Sequence, residues 1–488
     1  MSSKTSDHSS SGAGWRWDHS YKQLPPLLFS NALPQPVREP CVVIFNEPLA
    51  VSLGLHKELL EAGIFTGNII PPGAEPIAQA YAGHQFGHFT GLGDGRAILL
   101  GAHITPDGRL YDIQLKGSGR TPYSRGGDGR AALGPMLREY IISEAMHALG
   151  IPTTRSLAVA STGEDVERAE TLEGAVLTRV AASHIRVGTF QWVAAHEDKS
   201  ALEALSDYTR KRHFPEIPGG EMRHFEFFEA VMERQAALIA QWLNVGFIHG
   251  VMNTDNMALS GETIDYGPCA FMDEYDPKTV FSSIDHARRY AYGKQAAIAR
   301  WNLARLAEGM LPVLHEDQKT AVDLANEALG KFEGRFRFHW LAGMRAKLGL
   351  FTEEEDDVVL VQDFLDAMKT LRMDFTNSFR ALSDESAITS CPFEQTDLTA
   401  WHDRWQERLN RQPQDQVEAA QRMRDQNPGV IPRNHLVEQA LAAATQGDLG
   451  AMNRLLAVLA CPYDSGHPSE YTSPAPAGSP RYQTFCGT

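Results

Sequence analysis

A short stretch of the chain, from His249 to Asp265, holds side chains suited to phosphate chemistry. Asn256 and Asp265 offer an amide oxygen and a carboxylate, and such oxygen ligands suit Mg²⁺ or Mn²⁺. Asp255 is the only carboxylate of the His249–Asn256 loop, which makes it a candidate proton acceptor. An Asp in a loop also commonly caps a turn, and that role stays open for Asp255.

The spacing of these residues follows a known pattern for nucleotide phosphoryl transfer. Kinase-type enzymes carry H-x-D-x-x-x-x-N and then D-F-G, in which the first Asp is the catalytic base while the Asn and the second Asp hold metal. Here Val251 occupies the position of that base, and an isopropyl group cannot accept a proton. The stretch therefore predicts a metal-nucleotide site unsuited to ordinary γ-phosphoryl transfer, with Asp255 as a substitute base.

The upstream elements that must position this site occur in the kinase order. A glycine loop contains Gly93 and Gly95, a hairpin strand ends at Lys116, and the next helix carries Glu139. In kinase-type folds the strand lysine contacts phosphates and is positioned by a helix carboxylate. A glycine cluster alone is more often a bare turn, and a Lys–Glu pair is usually a surface ion pair, so the functional interpretation depends on the order of the whole set.

Arginines are concentrated near the predicted cleft of this acidic chain. Guanidinium groups bind phosphate oxygens in two-point fashion, so several of them could hold a triphosphate differently from a single lysine. The alternative is that about half of them form salt bridges with Asp94, Asp112 or Asp128. The six arginines are Arg96, Arg120, Arg125, Arg130, Arg179 and Arg186.

The bulk composition excludes several classes of function. A net charge of −16 disfavours binding to nucleic acids or anionic membranes, which need a basic surface. No apolar run is long enough to cross a bilayer, and the N-terminal residues lack the apolar core of a signal peptide, so we expect a cytoplasmic protein. Five scattered cysteines without a C-x-x-C pair exclude a disulfide scaffold and a structural zinc site.

These patterns predict an α+β protein with a kinase-like, two-lobed fold. We expect an extension over residues 1–80 and an N-lobe over 81–185 that contains the glycine loop, the Lys116 strand and the Glu139 helix. A C-lobe over 186–330 is expected to contain the catalytic loop and metal turn. Residues 331–488 are predicted to form a C-terminal helical region with a cysteine-containing tail.

Longer motifs extend these observations across nearly the whole chain. They include Y-A-G-H-Q-F-G-H-F, L-G-D-G-R-A-I-L-L-G, T-P-Y-S-R-G-G-D-G-R, H-G-V-M-N-T-D-N-M and N-P-G-V-I-P-R-N-H-L. Together they resemble the selenoprotein O family of the bacterial YdiU type. The resemblance implies a pseudokinase-like fold that binds ATP in an inverted orientation and transfers AMP to Ser, Thr or Tyr hydroxyls of proteins.

The resemblance also implies roles for individual residues. Asp255 is implied as proton acceptor, Glu139 as the partner of Lys116, and Asn256 with Asp265 as ligands of Mg²⁺ or Mn²⁺. Cys486 occupies the tail position where some members carry selenocysteine, and we hypothesise a reversible disulfide between Cys486 and Cys269. The nucleotide contacts implied are Gly93, Gly95, Arg96, Lys116, Asp128, Gly129, Arg179, Arg186 and Asp265.

Two competing functions remain open from the sequence. A phosphotransferase acting on a small molecule or a protein would fit His249, Gly250 and Asn256, although Val251 counts against it. A non-catalytic ATP-binding scaffold is the other alternative. The retention of Lys116 together with the metal-ligand candidates counts against a scaffold, which has no need of a complete metal site.

Overall fold

The computed structural model describes residues 12–384, 396–476 and 478–485, and within them the chain has a mixed α+β fold. The strands Ala97–Ile104 and Leu110–Lys116 form the predicted hairpin that ends at Lys116, and a turn at Thr105–Gly108 joins them. The thirteen strands of the described residues are, in order, Trp17–Asp18, Phe29–Asn31, Cys41–Phe45, Ile77–Gln79, Ala82–Gln85, His88–Gly91, Ala97–Ile104, Leu110–Lys116, Ala131–Ala132, Arg155–Glu167, Thr171–Ala181, Phe247–Ile248 and Ala270–Phe271 (β1–β13).

Helices make up most of the chain after residue 186. The predicted helix that carries Glu139 is present as Leu133–Ala148, and an amphipathic helix, Arg223–Asn244, precedes His249. The α-helices of the described residues are Glu47–Ser52, Ala62–Thr66, Leu133–Ala148, Val187–Ala195, Lys199–His213, Arg223–Asn244, Gln295–Leu314, Gln318–Lys347, Asp357–Thr370, Phe375–Ala381, Thr396–Leu409, Gln416–Gln426, Asn434–Ala444, Gly450–Leu459 and Ser469–Thr472 (α1–α15). Short 3-10 helices cover Ser20–Gln23, Pro26–Leu28, Lys57–Leu59, Thr254–Asn256 and Tyr292–Lys294.

A nine-stranded antiparallel sheet organises the first part of the chain. Its order is β2-β4-β7-β8-β11-β10-β3, with β1 paired to β7 and β9 paired to β11. Strands from the segment before residue 80, predicted as an extension, therefore pair with strands of the predicted N-lobe. The register places Lys116 opposite Leu177 and Gln114 opposite Arg179, so β8 and β11 carry neighbouring cations to one end of the sheet.

Helix α3 packs against β10 and β11, and its buried face includes Leu137, Ile141 and Glu139. All residues from Met136 to Ser143 are buried, so burial extends around the whole circumference of α3 and exceeds one amphipathic stripe. The C-terminal helices α13 and α14 also contact α3, which accounts for the additional cover. Glu139 is thereby held in the interior, at the edge of the sheet.

The described residues of the region 331–488 are mostly helical, as predicted, with irregular connections such as residues 348–356 and 427–433. Arg433 in the second connection is fully buried and pairs with Asp273 and Asp374, each at 2.6 Å. This pairing ties the C-terminal helices to the segment that follows Asp265. Within the described residues, no helix combines the length and apolar character needed to span a bilayer.

Candidate active site

A cleft of about 230 Å³ lies between the sheet, α3 and the His249–Asn256 loop. The strand lysine, the helix glutamate and the metal-ligand candidates all face it. Its lining comprises Tyr81, Gln85, Asp94, Gly95, Arg96, Ala97, Lys116, Pro135, Met136, Glu139, Arg179, Arg186, Val251, Asn253, Asp255, Asn256, Asp265, Gly267 and Pro268.

An ion network occupies the inner end of the cleft. Lys116 Nζ lies 2.7 Å from Glu139 Oε2 and 3.2 Å from Asp265 Oδ1. Arg179 bridges the same two carboxylates, with Nε 2.5 Å from Glu139 Oε1 and one terminal nitrogen 2.5 Å from Asp265 Oδ1. Arg186 donates to Asp265 Oδ2 at 3.2 Å. Three cations therefore converge on one carboxylate.

Electrostatics keep this network ionised despite its burial. Burial alone would raise the pKa of Asp265, but the charges of Arg179, Lys116 and Arg186 outweigh it and hold the pKa well below its usual range. The pKa of Glu139 is lowered as well, since Arg179 and Lys116 overcome its desolvation. Burial and the neighbouring Arg179 lower the pKa of Lys116. The three cations at this end of the cleft are groups that suit a polyanionic ligand.

Backbone strain accompanies this arrangement. Asp265 has a φ of 65°, in the left-handed region that residues other than glycine rarely adopt. Non-glycine residues in this region persist where surrounding contacts hold them, and they cluster at functional sites. The three cations on the Asp265 carboxylate supply those contacts.

The His249–Asn256 loop presents Asp255 at the other side of the cleft. Its Oδ1 is buried and has no hydrogen-bond partner among the described residues, while Oδ2 lies 3.4 Å from Gln85 Nε2. Burial raises the pKa of Asp255 to about 6. Val251 lies on the same cleft wall and is buried. An oxygen with a free lone pair and a pKa near neutrality is well suited to accept a proton.

The residues proposed for a metal fit such an ion. Asn256 donates its amide nitrogen to the Val251 carbonyl at 2.9 Å, which leaves its side-chain oxygen available. Asn256 and Asp265 line the same cleft. The described residues contain no cluster of three or more His, Cys, Asp or Glu side chains that could hold a metal by themselves. This donor set suits Mg²⁺ or Mn²⁺, because Mg²⁺ commonly combines one or two protein ligands with substrate phosphates.

A second, more open cavity of about 620 Å³ adjoins the first and shares Arg96 and Asp255 with it. Gly93 and Gly95 lie on its wall against Tyr123, and a Cβ at Gly93 would overlap the Tyr123 ring. Asp128 and Gly129 also line it. Asp128 is engaged by Arg168 at 2.7 Å, a partner that the sequence did not indicate.

Three of the six arginines have a carboxylate partner within 4.0 Å among the described residues, and three do not. Arg179 and Arg186 join the Asp265 network, and Arg130 lies 3.6 Å from Glu164. Arg186 also approaches Asp94 at 3.9 Å, whereas Asp112 pairs with Arg212 instead. The other three have no carboxylate within 4.0 Å among the described residues and line the open cavity: Arg96, Arg120 and Arg125.

Comparison with known proteins shows the family of this chain. Residues 16–460 match the family model described as protein adenylyltransferase SelO. The chain belongs to the SelO family. Relatives named protein nucleotidyltransferase YdiU include those of Brevibacillus brevis (60% identical, covering 97% of this chain and 98% of the relative) and Geobacillus kaustophilus (58%, covering 98% and 100%). The relative from Halalkalibacterium halodurans is 59% identical, covering 97% and 98%.

This SelO-family chain also has site residues that the sequence analysis did not single out. The Tyr81 ring lies 4.5 Å from the Arg186 guanidinium, and Gln85 contacts Asp255. Asn253 Oδ1 accepts from Phe86 N at 3.0 Å and from Tyr290 Oη at 2.6 Å. Both Tyr81 and Gln85 fall within the quoted motif that begins Y-A-G-H-Q. The sequence therefore marked this segment, but it gave neither residue a role.

The cysteine hypothesis for this SelO-family chain involves a residue outside the described part of the structure, Cys486. Cys269 is buried, its Sγ lies 3.4 Å from the Tyr266 carbonyl oxygen, and burial raises the pKa of its thiol to about 12. Thr484 Oγ1 donates to the Pro268 carbonyl at 2.8 Å. The described end of the tail therefore reaches the residue next to Cys269, while the disulfide stays a hypothesis.

Proposed function

We propose that this chain transfers AMP from ATP to Ser, Thr or Tyr hydroxyls of proteins and releases pyrophosphate. The convergence of Lys116, Arg179 and Arg186 at the inner end of the cleft carries this proposal. Such a cluster can hold the β- and γ-phosphates, which leaves the α-phosphorus as the accessible electrophile. Membership of a family described as protein adenylyltransferases supports the same reaction.

In this reaction the acceptor oxygen forms a bond to the α-phosphorus. The bond from the α-phosphorus to its bridging oxygen breaks, and the electron pair leaves with pyrophosphate. The acceptor proton passes to the unpartnered Oδ1 of Asp255, which is buried beside the cleft. Lys116, Arg179 and Arg186 offset the charge that develops on the leaving group. Positioning and charge neutralisation contribute most of the catalysis in such transfers.

Asn256 and Asp265 would hold Mg²⁺ or Mn²⁺ together with phosphate oxygens. The ion would supply further neutralisation of the triphosphate charge. Five residues that line the open cavity would contact the remainder of the nucleotide: Gly93, Gly95, Arg96, Asp128 and Gly129. Two of them, Gly95 and Arg96, also line the inner cleft. Glu139 would position Lys116 through their 2.7 Å ion pair.

We also propose that the architecture is kinase-like and two-lobed. The strand–helix ion pair between Lys116 and Glu139 is the arrangement that kinase-type folds use. The proposed N-lobe spans residues 81–185 and the C-lobe 186–330. Residues 1–80 would extend the first and 331–488 would form the C-terminal helical region.

Isotope position in ATP tests the function directly. Purified protein with Mg²⁺ or Mn²⁺ and ATP labelled at the α- or γ-phosphorus is incubated alone and with protein acceptors. We expect protein labelling from the α position only, with AMP-sized mass additions on hydroxyl residues. Labelling from the γ position would support a kinase, and ATP binding without transfer from either position would support a scaffold.

A further inference from the structure

The β5–β6 hairpin stands beside the catalytic loop and carries an exposed aromatic side chain. Phe89 is 51% exposed. The register pairs His84 with Phe89 and Gln85 with His88. Successive residues of a strand point to opposite faces, so Gln85 lies on the face of Asp255 while Phe89 lies on the other face with His84.

Contacts to the catalytic loop fix this hairpin. Phe86 at its tip has a φ of 51°, and its backbone nitrogen donates to Asn253 Oδ1 at 3.0 Å. The Phe86 ring packs edge-on against Tyr290, whose hydroxyl donates to the same Asn253 oxygen. A bulky residue at positive φ persists only where such contacts impose it. The hairpin tip is therefore held two residues from Asp255.

A half-buried arginine lies against the hairpin tip. The Arg289 guanidinium carbon is 4.6 Å from the centre of the Trp301 ring and 3.9 Å from the point that a Cβ on Gly87 would occupy. Arg289 forms no ion pair within 4.0 Å in the described part of the chain, and its buried Nε has no hydrogen-bond partner there. Its guanidinium carbon also lies 5.7 Å from the centre of the Tyr290 ring. The nearby Asp285 accepts from the backbone nitrogens of Arg289 and Tyr290.

An arginine without a carboxylate partner contrasts with the acidic character of this chain, in which 61 Asp and Glu exceed 45 Lys and Arg. Stacking on Trp301 orders the Arg289 guanidinium and restricts its motion before any ligand arrives. The planar group can then pair with a carboxylate through two parallel hydrogen bonds. Arg289, Trp301 and Phe89 line neither of the two nucleotide cavities.

We propose that Phe89 and Arg289 form a docking surface for the acceptor protein, which favours segments with an acidic side chain near the modified hydroxyl. The proposal rests on the proposed function, because the acceptor hydroxyl must reach Asp255, and the hairpin connects Asp255 with this surface. The overall charge of −16 repels acidic side chains over most of the surface. An acidic side chain of the acceptor is therefore attracted mainly where it reaches the Arg289 guanidinium. Phe89 provides apolar contact on the same surface, because its ring lies 5.3 Å from that of His84, and the His84 ring lies 5.3 Å from Trp301, on which Arg289 stacks.

The test uses synthetic Ser-containing peptides that differ only in whether Glu, Gln or Lys flanks the serine, together with casein and histone as acidic and basic proteins. For wild-type protein we expect kcat/KM about tenfold higher with Glu than with Lys peptides, since a well-oriented ion pair supports a difference of this order. In Arg289→Ala the ratio should fall to within about twofold of unity, and Arg289→Glu should reverse it.

Lys319→Ala is the matched control, because it removes one surface charge from the exposed start of α8. It should retain the wild-type preference, and the KM for ATP should stay within about twofold in every variant. The inference is overturned if Arg289→Ala behaves like Lys319→Ala, or if the wild-type protein modifies itself but prefers no acidic acceptor. Absence of any α-phosphate transfer by the wild-type protein would instead refute the proposed function itself.

Discussion

At the scale of single residues, Asp255 combines a buried oxygen without a partner and a position beside the metal-ligand candidate Asn256. Asp255→Asn keeps the size of the side chain but cannot accept a proton. We expect AMP transfer to fall by about 10²- to 10⁴-fold, with ATP affinity within about twofold of wild type. Calorimetric binding beside transfer rates would check this, and unchanged transfer would reduce Asp255 to a turn residue.

Gly83 tests the same site by steric means. A Cβ at Gly83 would overlap Asp255 Oδ1, while one at Gly219 would meet open space. We therefore expect Gly83→Ala to displace the Asp255 carboxylate and reduce transfer by at least about tenfold, because small misplacements of catalytic groups are costly. Gly219→Ala is the control and should keep full activity. Equal rates for the two variants would show that transfer does not depend on the position of the Asp255 carboxylate beside the β5–β6 hairpin.

At the scale of elements, the end of α8 contains a lysine that is 1% exposed, Lys347. Its Nζ lies 4.2 Å from the Phe379 ring centre, and burial lowers its pKa to about 7. The unfolded chain has a lysine pKa of about 10.4. Between these values the unfolded state binds a proton that the folded state does not, so the free energy of unfolding rises with pH from about 7 to 10.

Lys347→Met should remove this dependence. The side chain keeps its length, and the cost of burying an ammonium group at pH 7 disappears, so we expect unfolding to require about 1–3 kcal/mol more than in the wild type. The slope of stability between pH 7 and 10 should also become flatter. Chemical denaturation at several pH values measures both effects, with the exposed Lys319→Met as the comparison; parallel pH curves for wild type and Lys347→Met would contradict the prediction.

Local patterns in the sequence were sufficient to predict the elements nearest the chemistry. The hairpin ending at Lys116 and the helix with Glu139 follow from alternation, turn residues and a terminal glycine, which act over a few positions. Pairing between distant segments has no such local signal. The contact of Gln85 with Asp255 joins positions 170 residues apart, so the motif around Gln85 carried no visible role before the fold was known.

At the scale of the whole molecule, Arg433 joins the C-terminal helices to the rest of the protein. It lies in the N-P-G-V-I-P-R-N-H-L motif, and its guanidinium pairs with Asp273 and Asp374. Arg433→Ala would leave both carboxylates without this cation. We expect a loss of about 3–5 kcal/mol in the free energy of unfolding. The control Arg454→Ala removes an exposed arginine and should change the free energy of unfolding by less than about 0.5 kcal/mol in the same denaturation experiment. Equal losses for the two variants would show that the Arg433 ion pairs do not stabilise the fold.

The sheet also constrains how the chain acquires its fold during synthesis. Strand β3 pairs with β10, and the partners Phe45 and Ala158 are separated by 158 − 45 = 113 positions. A ribosome adding about 5–20 residues per second needs roughly 6–23 s to deliver the second strand after the first. Until then the apolar residues Val42, Val43 and Ile44 have no partner strand. Chaperones that bind exposed strand edges during synthesis would therefore have the most time to bind this segment.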